Sequence, residues 1–307
     1  MSILNGLRSA FNEDGVLGVV RSIWLHVAFW GPTANAVQAI LGKRLQQMLT
    51  MFVTLGYWPN IDQPSSFNEK IVHRKLRTNK ELFTTVSDKV AVREYVESKV
   101  NSEILNEVYY VTKDPESIPF ESLPSEFVVK ANHSSGWNKI IDDKANHDFD
   151  DLVTECSEWL DNTFGKPQAE YWYWNIEPKI LIERRMHDDE HGIPIDYKFF
   201  VFNGEVEYIQ VDFDRYGNHS RSVFDREWNK LDLSLQFPEG PQTEPPAKLP
   251  EMIDVAETLG KEFDFIRVDL YQPNGERVVF GELTVGPGSG IERFKPRKYD
   301  FEFGSHW

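Results

Sequence analysis

Residues 263–290 read FDFIRVDLYQPNGERVVFGELTVGPGSG and have the pattern of two β-strands joined by a turn. Ile266, Val268 and Leu270 alternate with polar residues, which is the period of a half-buried strand. The turn is expected at residues 273–275, where proline fixes φ and the Asn-Gly pair tolerates a positive φ. Antiparallel pairing of the two strands would make Asp269 and Glu282 cross-strand neighbours.

Two carboxylates held this close repel each other unless a cation lies between them, so the hairpin predicts a Mg²⁺ site at Asp269 and Glu282. The loop that follows, Gly286-Pro287-Gly288-Ser289-Gly290, has small residues that let backbone amides approach an anion. The alternative is an ordinary acidic hairpin with one solvated face.

The composition sets limits on the class of protein. The chain has 307 residues, enough for two lobes or domains, and a net charge of −16. This charge argues against a nucleic-acid partner and against electrostatic adhesion to an anionic membrane. Its single cysteine, Cys156, excludes an internal disulfide and is expected to be structural, in a reducing compartment.

The N-terminal region contains an apolar stretch, residues 15–31. Arg21 and His26 interrupt it, so it is too short for a transmembrane helix, and it lacks the features of a signal peptide. It predicts an amphipathic helix whose apolar side contains Val16, Val19, Val20, Ile23 and Trp24. That side is expected either to dock on the protein body or to contact a membrane surface or a partner enzyme. Residues 35–56 are predicted to continue as helix.

A basic helix is predicted to begin after residues 59–66, with Ser65 or Ser66 as its N-cap. Its positive residues are Lys70, His73, Arg74, Lys75, Arg77 and Lys80. Such a run is usually a solvated face, and the alternative is that it steers an anionic substrate toward a cleft.

The stretch EFVVKANHSSGWNKII, residues 126–141, predicts a buried strand that ends at Lys130, a loop of small and polar residues, and a second strand. A strand-held ammonium beside such a loop is a way to hold nucleotide phosphates. Lys198, on a strand predicted over residues 196–204, is expected to point into the same cleft. The phosphate-loop motif G-x-x-x-x-G-K-[ST] and the dinucleotide motif G-x-G-x-x-G are both absent from the sequence.

A cluster of potential metal ligands occurs in the loop MHDDEHGIP, residues 186–194. Consecutive residues cannot all face one ion, and Gly192 and Pro194 mark an exposed turn. His187, Asp188, Asp189, Glu190 and His191 are therefore predicted to lie in a solvated loop.

The order of these parts resembles the ATP-grasp fold. In D-alanine–D-alanine ligases, an R-x-D motif is followed by E-x-N thirteen residues after the Asp and then by a Ser-Pro-Gly loop. Here Arg267-Val268-Asp269 and Glu282-Leu283-Thr284 have that spacing, and Gly286-Pro287-Gly288 follows. The segments DKVAVREYV, FVVKANHSSG, ILIER, DYKFFVFNGE, RVDLY and FGELT more closely resemble the TupA-like ATP-grasp branch, which is associated with bacterial cell-surface polysaccharides, including teichuronopeptide. The resemblance covers residues 65–307.

The resemblance implies an α+β ATP-grasp fold, in which two α+β lobes enclose ATP, with a helical N-terminal extension. The implied domains are the extension at 1–64, an N-terminal lobe with the phosphate loop at 65–180, and a C-terminal lobe with the metal-binding hairpin at 181–307.

The resemblance also implies roles for individual residues. ATP would be bound by Lys130, Ser134, Ser135, Gly136, Glu183, Arg184, Met186 and Lys198. Mg²⁺, or Mn²⁺ in its place, would be held by Asp269, Glu282 and Thr284, and the catalytic residues would be Arg267 and Lys198. Thr284 stands where the better-known ligases have Asn, although a hydroxyl can still ligate Mg²⁺. Candidate substrate contacts are Lys70, His73, Arg74, Arg93, Gly288 and Ser289.

The function that the resemblance implies is ATP-dependent ligation of a carboxylate to an amine through an acylphosphate. The implied partners are ATP, an anionic saccharide carboxylate such as a uronic acid of a surface polysaccharide precursor, and an amine donor. The expected location is the cytoplasm, with the inner face of the membrane as an option. The alternatives are an ATP-grasp kinase that phosphorylates a sugar hydroxyl, and a nucleotide-binding scaffold without turnover.

Overall fold

The computed structural model describes residues 3–190, 192–214 and 218–307, which form an α+β fold with antiparallel sheets. The described helices are α1 (Ile3–Leu25), α2 (Ala34–Leu41), α3 (Lys43–Leu55), α4 (Phe67–Arg77), α5 (Glu81–Ser87), α6 (Ala91–Lys99), α7 (Phe149–Asp161), α8 (Leu249–Gly260) and α9 (Lys298–His306). The described strands are β1 (Val108–Thr112), β2 (Phe127–Ala131), β3 (Asn138–Ile141), β4 (Ile180–Glu183), β5 (Asp196–Phe202), β6 (Glu205–Phe213), β7 (Ser220–Asp225), β8 (Ser234–Leu235), β9 (Phe265–Tyr271), β10 (Val279–Thr284) and β11 (Phe294–Lys295).

The chain divides into two compact units. Unit 1 comprises Met1–Asn79, Gly165–Tyr171 and Gly286–Ser305, and unit 2 comprises Lys80–Phe164, Trp172–Val285 and His306–Trp307. The lobe boundaries implied by the sequence, after residues 64 and 180, stay a prediction.

The helices of unit 1 confirm the predicted cap of the basic helix. Ser66 is the N-cap of α4, and its hydroxyl accepts a hydrogen bond from the Glu69 amide at 3.1 Å. The Glu69 carboxylate in turn accepts from the amides of Ser66 at 3.0 Å and Ser65 at 2.8 Å. This reciprocal capping box satisfies amides that the first turn of a helix leaves without intrahelical partners.

Two glycines interrupt the helices of the N-terminal region, and Gly42 divides a helix that the sequence pattern predicts to be continuous. Gly42, with φ +75°, separates α2 from α3, so the helix predicted over residues 35–56 is two helices. In α1, Asp14 and Gly15 leave the helical region, with Gly15 at φ +60°, and a π-helical turn, His26–Trp30, follows α1. Glycine adopts this left-handed conformation without the steric cost that a Cβ would impose.

The basic face of α4 is only partly solvated. Arg74 is 2% exposed and Lys75 is 5% exposed, so the solvated-face prediction is wrong for these two residues. The Lys75 ammonium donates to Gln47 Oε1 and to the Ser289 carbonyl, each at 2.7 Å, and burial lowers the pKa of Lys75. Both partners are distant in sequence, so the local pattern gives no sign of them.

The first sheet of unit 2 has the strand order β1-β4-β2-β3, and every described pairing is antiparallel. Helix α7 packs on it through Leu152, Cys156 and Trp159. Cys156 is fully buried, and burial raises the pKa of its thiol to about 12, in agreement with a structural role.

The second sheet of unit 2 has the order β10-β9-β5-β6-β7, again antiparallel throughout. Helix α8 covers one face, and Gly260 allows the close approach, because a Cβ there would lie 2.5 Å from Val201 Cγ1. Alternation along the strands puts a row of polar side chains on the other face. Its members are Arg267, Asp269, Lys198, Asp196, Gln210, Asp212 and Arg221.

Candidate active site

The predicted hairpin forms and places Asp269 at the centre of a buried charge cluster. Glu282 pairs with Asp269 in the β9–β10 register, and Thr284 pairs with Arg267. Arg267 binds Asp269 through two hydrogen bonds, Nε to Oδ1 and Nη2 to Oδ2, both at 2.7 Å. Lys198, from the neighbouring strand β5, donates to Asp269 Oδ2 at 2.7 Å. The expected proximity of Asp269 and Glu282 is therefore confirmed.

The charges around Asp269 keep it ionised. Its side chain is 1% exposed, and burial alone would raise its pKa. The charges of Arg267 and Lys198 outweigh that effect, and the pKa of Asp269 lies well below its usual value. At neutral pH the carboxylate is therefore a pure hydrogen-bond acceptor and a potential cation ligand.

Glu282 and Thr284 extend the cluster toward solvent. Arg267 Nη2 donates to Thr284 Oγ1 at 3.0 Å and lies 3.3 Å from Glu282 Oε1. The Thr284 hydroxyl donates in turn to Glu282 at 3.2 Å. The Glu282 side chain is 44% exposed, so one carboxylate of the pair is buried and the other is accessible. A β-bulge between Phe280 and Glu282 sets this register.

The first sheet supplies a second group of charges. Lys130, on β2, donates to Glu183, on the neighbouring strand β4. The loop after β2 is held by the buried side chain of Asn132. Its Oδ1 accepts a hydrogen bond from the backbone amide of Lys179 at 2.7 Å, and its Nδ2 donates to the carboxylate of Asp88 at 2.9 Å. These contacts fix the loop that contains the predicted phosphate-binding residues Ser134, Ser135 and Gly136.

Lys89 is a site residue that the sequence analysis missed. It lies just before α6, and its ammonium donates to the Ser134 carbonyl in the same loop. Burial lowers the pKa of Lys89 to about 8, against the opposing effect of the nearby Glu282, and the neighbouring Lys130 lowers it further. The sequence shows a lysine at a helix start, and only the tertiary packing brings that lysine to the phosphate loop.

A cleft of about 270 Å³ lies between the two sheets of unit 2. Predicted site residues that line it are Lys130, Ser135, Gly136, Glu183, Arg184, Met186, Asp269 and Glu282. Lys198, Arg267 and Thr284 contact its carboxylates, and Ser134 is 1% exposed in the loop beside it. The cleft thus brings together the two groups of residues that the sequence placed on separate strands.

A pocket of about 100 Å³ shares the residues Lys130, Glu183 and Glu282 with the cleft. Its apolar lining comes from Val86, Val92, Leu181, Phe280 and Leu283. Arg93, a candidate substrate contact, also lines this pocket and donates to the Asn106 carbonyl at 2.8 Å.

The other candidate substrate contacts belong to unit 1. Lys70, His73 and Arg74 lie on α4, and Gly288 and Ser289 lie in the loop after β10. Ser289 is buried and accepts from Lys75 through its carbonyl and its hydroxyl. The substrate roles of these residues stay a prediction.

The donor set suits a hard cation. Within residues 3–190, 192–214 and 218–307, no three His, Cys, Asp or Glu side chains converge as a protein-only metal site would require. Mg²⁺, however, is commonly held by one or two carboxylates together with substrate phosphates, and the oxygens of Asp269, Glu282 and Thr284 fit that pattern. In the loop 186–194, His187 pairs with Glu126 at 2.7 Å, and His191 lies outside the described residues.

Comparisons with known proteins come from a family model and from solved structures. No curated protein matches the chain. Similar solved structures include D-alanine–D-alanine ligase from Bacillus anthracis complexed with ATP, with 16% identity, a TM-score of 0.39, and coverage of 66% of this chain and 55% of that chain. The VanG D-Ala:D-Ser ligase from Enterococcus faecalis has 13% identity, a TM-score of 0.41, and coverage of 67% and 54%. This chain therefore spans little more than half the length of either ligase.

A family model described as TupA-like ATPgrasp matches residues 69–307, which is most of the chain. The match includes the whole of the hairpin, the phosphate loop and the strand that contains Lys198. Among the described residues, every helix is too short or too polar to span a lipid bilayer. The chain belongs to the TupA-like ATP-grasp family.

Proposed function

We propose that this protein is an ATP-dependent ligase that joins a carboxylate to an amine through an acylphosphate. The observation that carries the proposal is the charge arrangement around one cleft. Lys130 faces it from the first sheet, Lys89 from the segment before α6, and the Asp269 cluster from the second sheet. Membership of the TupA-like ATP-grasp family supports the same reaction class.

Lys130 and Lys89 are suited to bind the phosphates of ATP. Lys130 is held on a strand, and Lys89 is held against the loop of Ser134, Ser135 and Gly136. A fixed ammonium forms charge-assisted hydrogen bonds with phosphate oxygens, which are shorter and stronger than neutral ones. The ion pair of Lys130 with Glu183 would be exchanged for phosphate contacts when the nucleotide binds.

The carboxylates of the second sheet are suited to the metal that accompanies the nucleotide. Asp269 and Glu282 would hold Mg²⁺, with Thr284 beside them, and the ion would neutralise charge on the phosphates. Arg267 would stabilise the charge on the transferred phosphoryl group, because its guanidinium is already fixed by Asp269 and needs no reorganisation. Lys198 would keep Asp269 ionised.

The reaction balances without a protein nucleophile. A carboxylate oxygen of the acceptor attacks the γ-phosphorus of ATP, the bond to the β-phosphate oxygen breaks, and ADP leaves. The amine nitrogen then attacks the acyl carbon, phosphate leaves with its oxygen, and the amine loses a proton. We propose that the acceptor is a uronic acid of a cell-surface polysaccharide or its precursor, and that the amine belongs to an amino acid or a related donor.

The test is ATP consumption with a panel of uronic-acid oligosaccharides and amino acids, with ADP and AMP measured separately. The proposal expects ADP and phosphate only when both a carboxylate and an amine are present. A phosphorylated sugar product without an amine requirement would replace the ligase with a kinase.

A pair of matched variants on one hairpin ties the activity to the site. Glu282→Gln removes a carboxylate that is half-exposed in the cleft, and we expect it to weaken Mg²⁺-dependent ATP binding and turnover. Glu276→Gln makes the same change at an exposed position in the turn region and should leave both unchanged. Undiminished Mg²⁺-dependent turnover in Glu282→Gln would contradict the proposed metal site. If the wild type binds nucleotide but turns over no combination of carboxylate and amine, a nucleotide-binding scaffold without turnover would be favoured.

A further inference from the structure

Helix α1 in unit 1 exposes an apolar stripe. Val16, Val20, Ile23 and Val27 follow one another at intervals of four, three and four residues, the spacing of one helix face, and the π-helical turn after α1 continues it. Their exposed fractions are 69%, 49%, 49% and 42%, and the adjacent Leu17 is 74% exposed. A contiguous stripe of this kind marks an interaction surface, whereas singly exposed apolar residues do not.

The stripe borders a groove of about 510 Å³ in unit 1. Apolar side chains of α1, α3 and the segment before α9 line the groove, among them Leu17, Val20, Phe52, Leu55, Phe294 and Pro296. Its acidic lining residue is Asp300, which is 2% exposed and accepts hydrogen bonds from Tyr57 and from the Asn68 amide. The groove is therefore lined largely by apolar side chains, and the carboxylate of Asp300 is buried and hydrogen-bonded within the protein.

Basic residues form the rim of this groove. The segment Arg293–Lys298 has the sequence RFKPRK, with four positive charges in six residues. Arg293 and Arg21 both bind the Asp14 carboxylate at 2.7 Å, which offsets one of their two positive charges. Lys295 lies 3.9 Å from Asp14 Oδ1 but keeps a 59% exposed side chain, and Arg297 and Lys298 are exposed as well. These three cations project into solvent beside the apolar stripe.

The charge of the chain is divided unequally between its two units. Unit 1 contains 13 Lys and Arg against 8 Asp and Glu, a net charge of +5, whereas unit 2 contains 20 against 41, a net charge of −21. The total of −16, which argues against adhesion to an anionic membrane, therefore conceals a basic unit. The basic unit is the one that exposes the apolar stripe.

We propose that unit 1 docks on an anionic phospholipid bilayer, with the α1 stripe inserted at the interface and Lys295, Arg297 and Lys298 contacting lipid phosphates. An apolar helix face combined with a cluster of Lys and Arg is the chemistry of an interfacial anchor. Trp30, 55% exposed, and Trp58, 56% exposed, add the aromatic side chains that favour the headgroup level. A protein partner would need acidic groups to face this rim, and a second copy of unit 1 offers the same positive charge instead.

The test is co-sedimentation of the full chain with vesicles of phosphatidylcholine alone and of phosphatidylcholine mixed with phosphatidylglycerol. We expect binding to the anionic vesicles only, and weaker binding as salt is added. Combined reversal of the three cations, Lys295→Glu, Arg297→Glu and Lys298→Glu, should weaken partitioning by on the order of 100-fold or more. Val16→Ser, Val20→Ser and Ile23→Ser together should also abolish pelleting.

A matched control reverses three exposed cations of unit 2, Lys113→Glu, Lys261→Glu and Arg277→Glu, and makes the same change in net charge. This control should bind vesicles like the wild type, and thermal unfolding should show that all variants are folded. The proposal fails if the wild type does not bind anionic vesicles, or if the control loses binding as much as the rim variant. If the wild type does not bind vesicles, and sedimentation velocity shows a dimer that is absent in the serine variant, the stripe is a contact surface for a second copy of the chain. The test does not depend on the proposed ligase activity.

Discussion

Replacement of Lys198 by methionine tests how much the buried charge cluster of the candidate active site contributes to stability. Lys198 is 5% exposed, and its ammonium lies between the carboxylates of Asp196 and Asp269, at 2.7 Å from the latter. Methionine keeps most of the apolar stem but leaves both buried carboxylates with one cation fewer. Because an uncompensated buried charge is costly, we expect Lys198→Met to reduce the free energy of unfolding by about 3–5 kcal/mol.

The assay is urea unfolding, supported by hydrogen exchange of amides in β5 and β9, which reports on this sheet separately from unit 1. Lys261→Met is the matched control, because Lys261 is an exposed lysine of the same unit, and its replacement should change stability by no more than about 0.5 kcal/mol. The double variant Lys198→Met with Asp269→Asn should cost less than the sum of the two single changes, by about 0.5–3 kcal/mol, because the residues share one interaction. A loss below about 1 kcal/mol in Lys198→Met, which is typical of any substitution, would contradict a stabilising role of Lys198 between the two carboxylates.

Three individual residues offer further tests. Because the pKa of Lys89 is about 8, its positive charge is lost as the pH rises through that value, and the ATP affinity measured by calorimetry should fall there. Lys89→Arg stays charged and should remove this pH dependence. If the variant has the same pH profile as the wild type, Lys89 does not bind phosphate. Ser66→Ala removes the cap of α4 and should lower the free energy of unfolding by about 1 kcal/mol, whereas Ser98→Ala, at an exposed position, should lower it far less. The Cys156 thiol, buried and with its pKa raised to about 12, should react with a thiol reagent only after unfolding, and fast labelling of the native protein would contradict its burial.

The parts of the site that could be predicted are those with local patterns. The alternation around Asp269 and the turn at 273–275 define the hairpin, because a period of two and turn chemistry are properties of neighbouring residues. Lys130 was found for the same reason, since it ends a run of apolar strand residues before a loop of small ones. Both features also matched a family motif.

The parts that were missed depend on contacts between distant segments. Lys89 reaches Ser134 only through the packing of α6 beside the phosphate loop, and Lys75 is buried because Gln47 and Ser289 offer it acceptors. The exposure of Val16 and Val20 is the converse case, since an apolar stripe on a helix normally predicts burial. In each case the sequence gives the type of side chain but not the groups that it contacts in the folded protein.

An isotope label on the acceptor carboxylate distinguishes an acylphosphate from other routes to ADP. A uronic-acid acceptor carrying heavy oxygen in its carboxylate is incubated with ATP, Mg²⁺ and the amine that supports ADP release, and the phosphate product is analysed by mass spectrometry. We expect heavy oxygen in the released phosphate, because the carboxylate oxygen attacks the γ-phosphorus and leaves with it. Phosphate without the label, with the label retained in the saccharide, would contradict an acylphosphate and with it the proposed ligase.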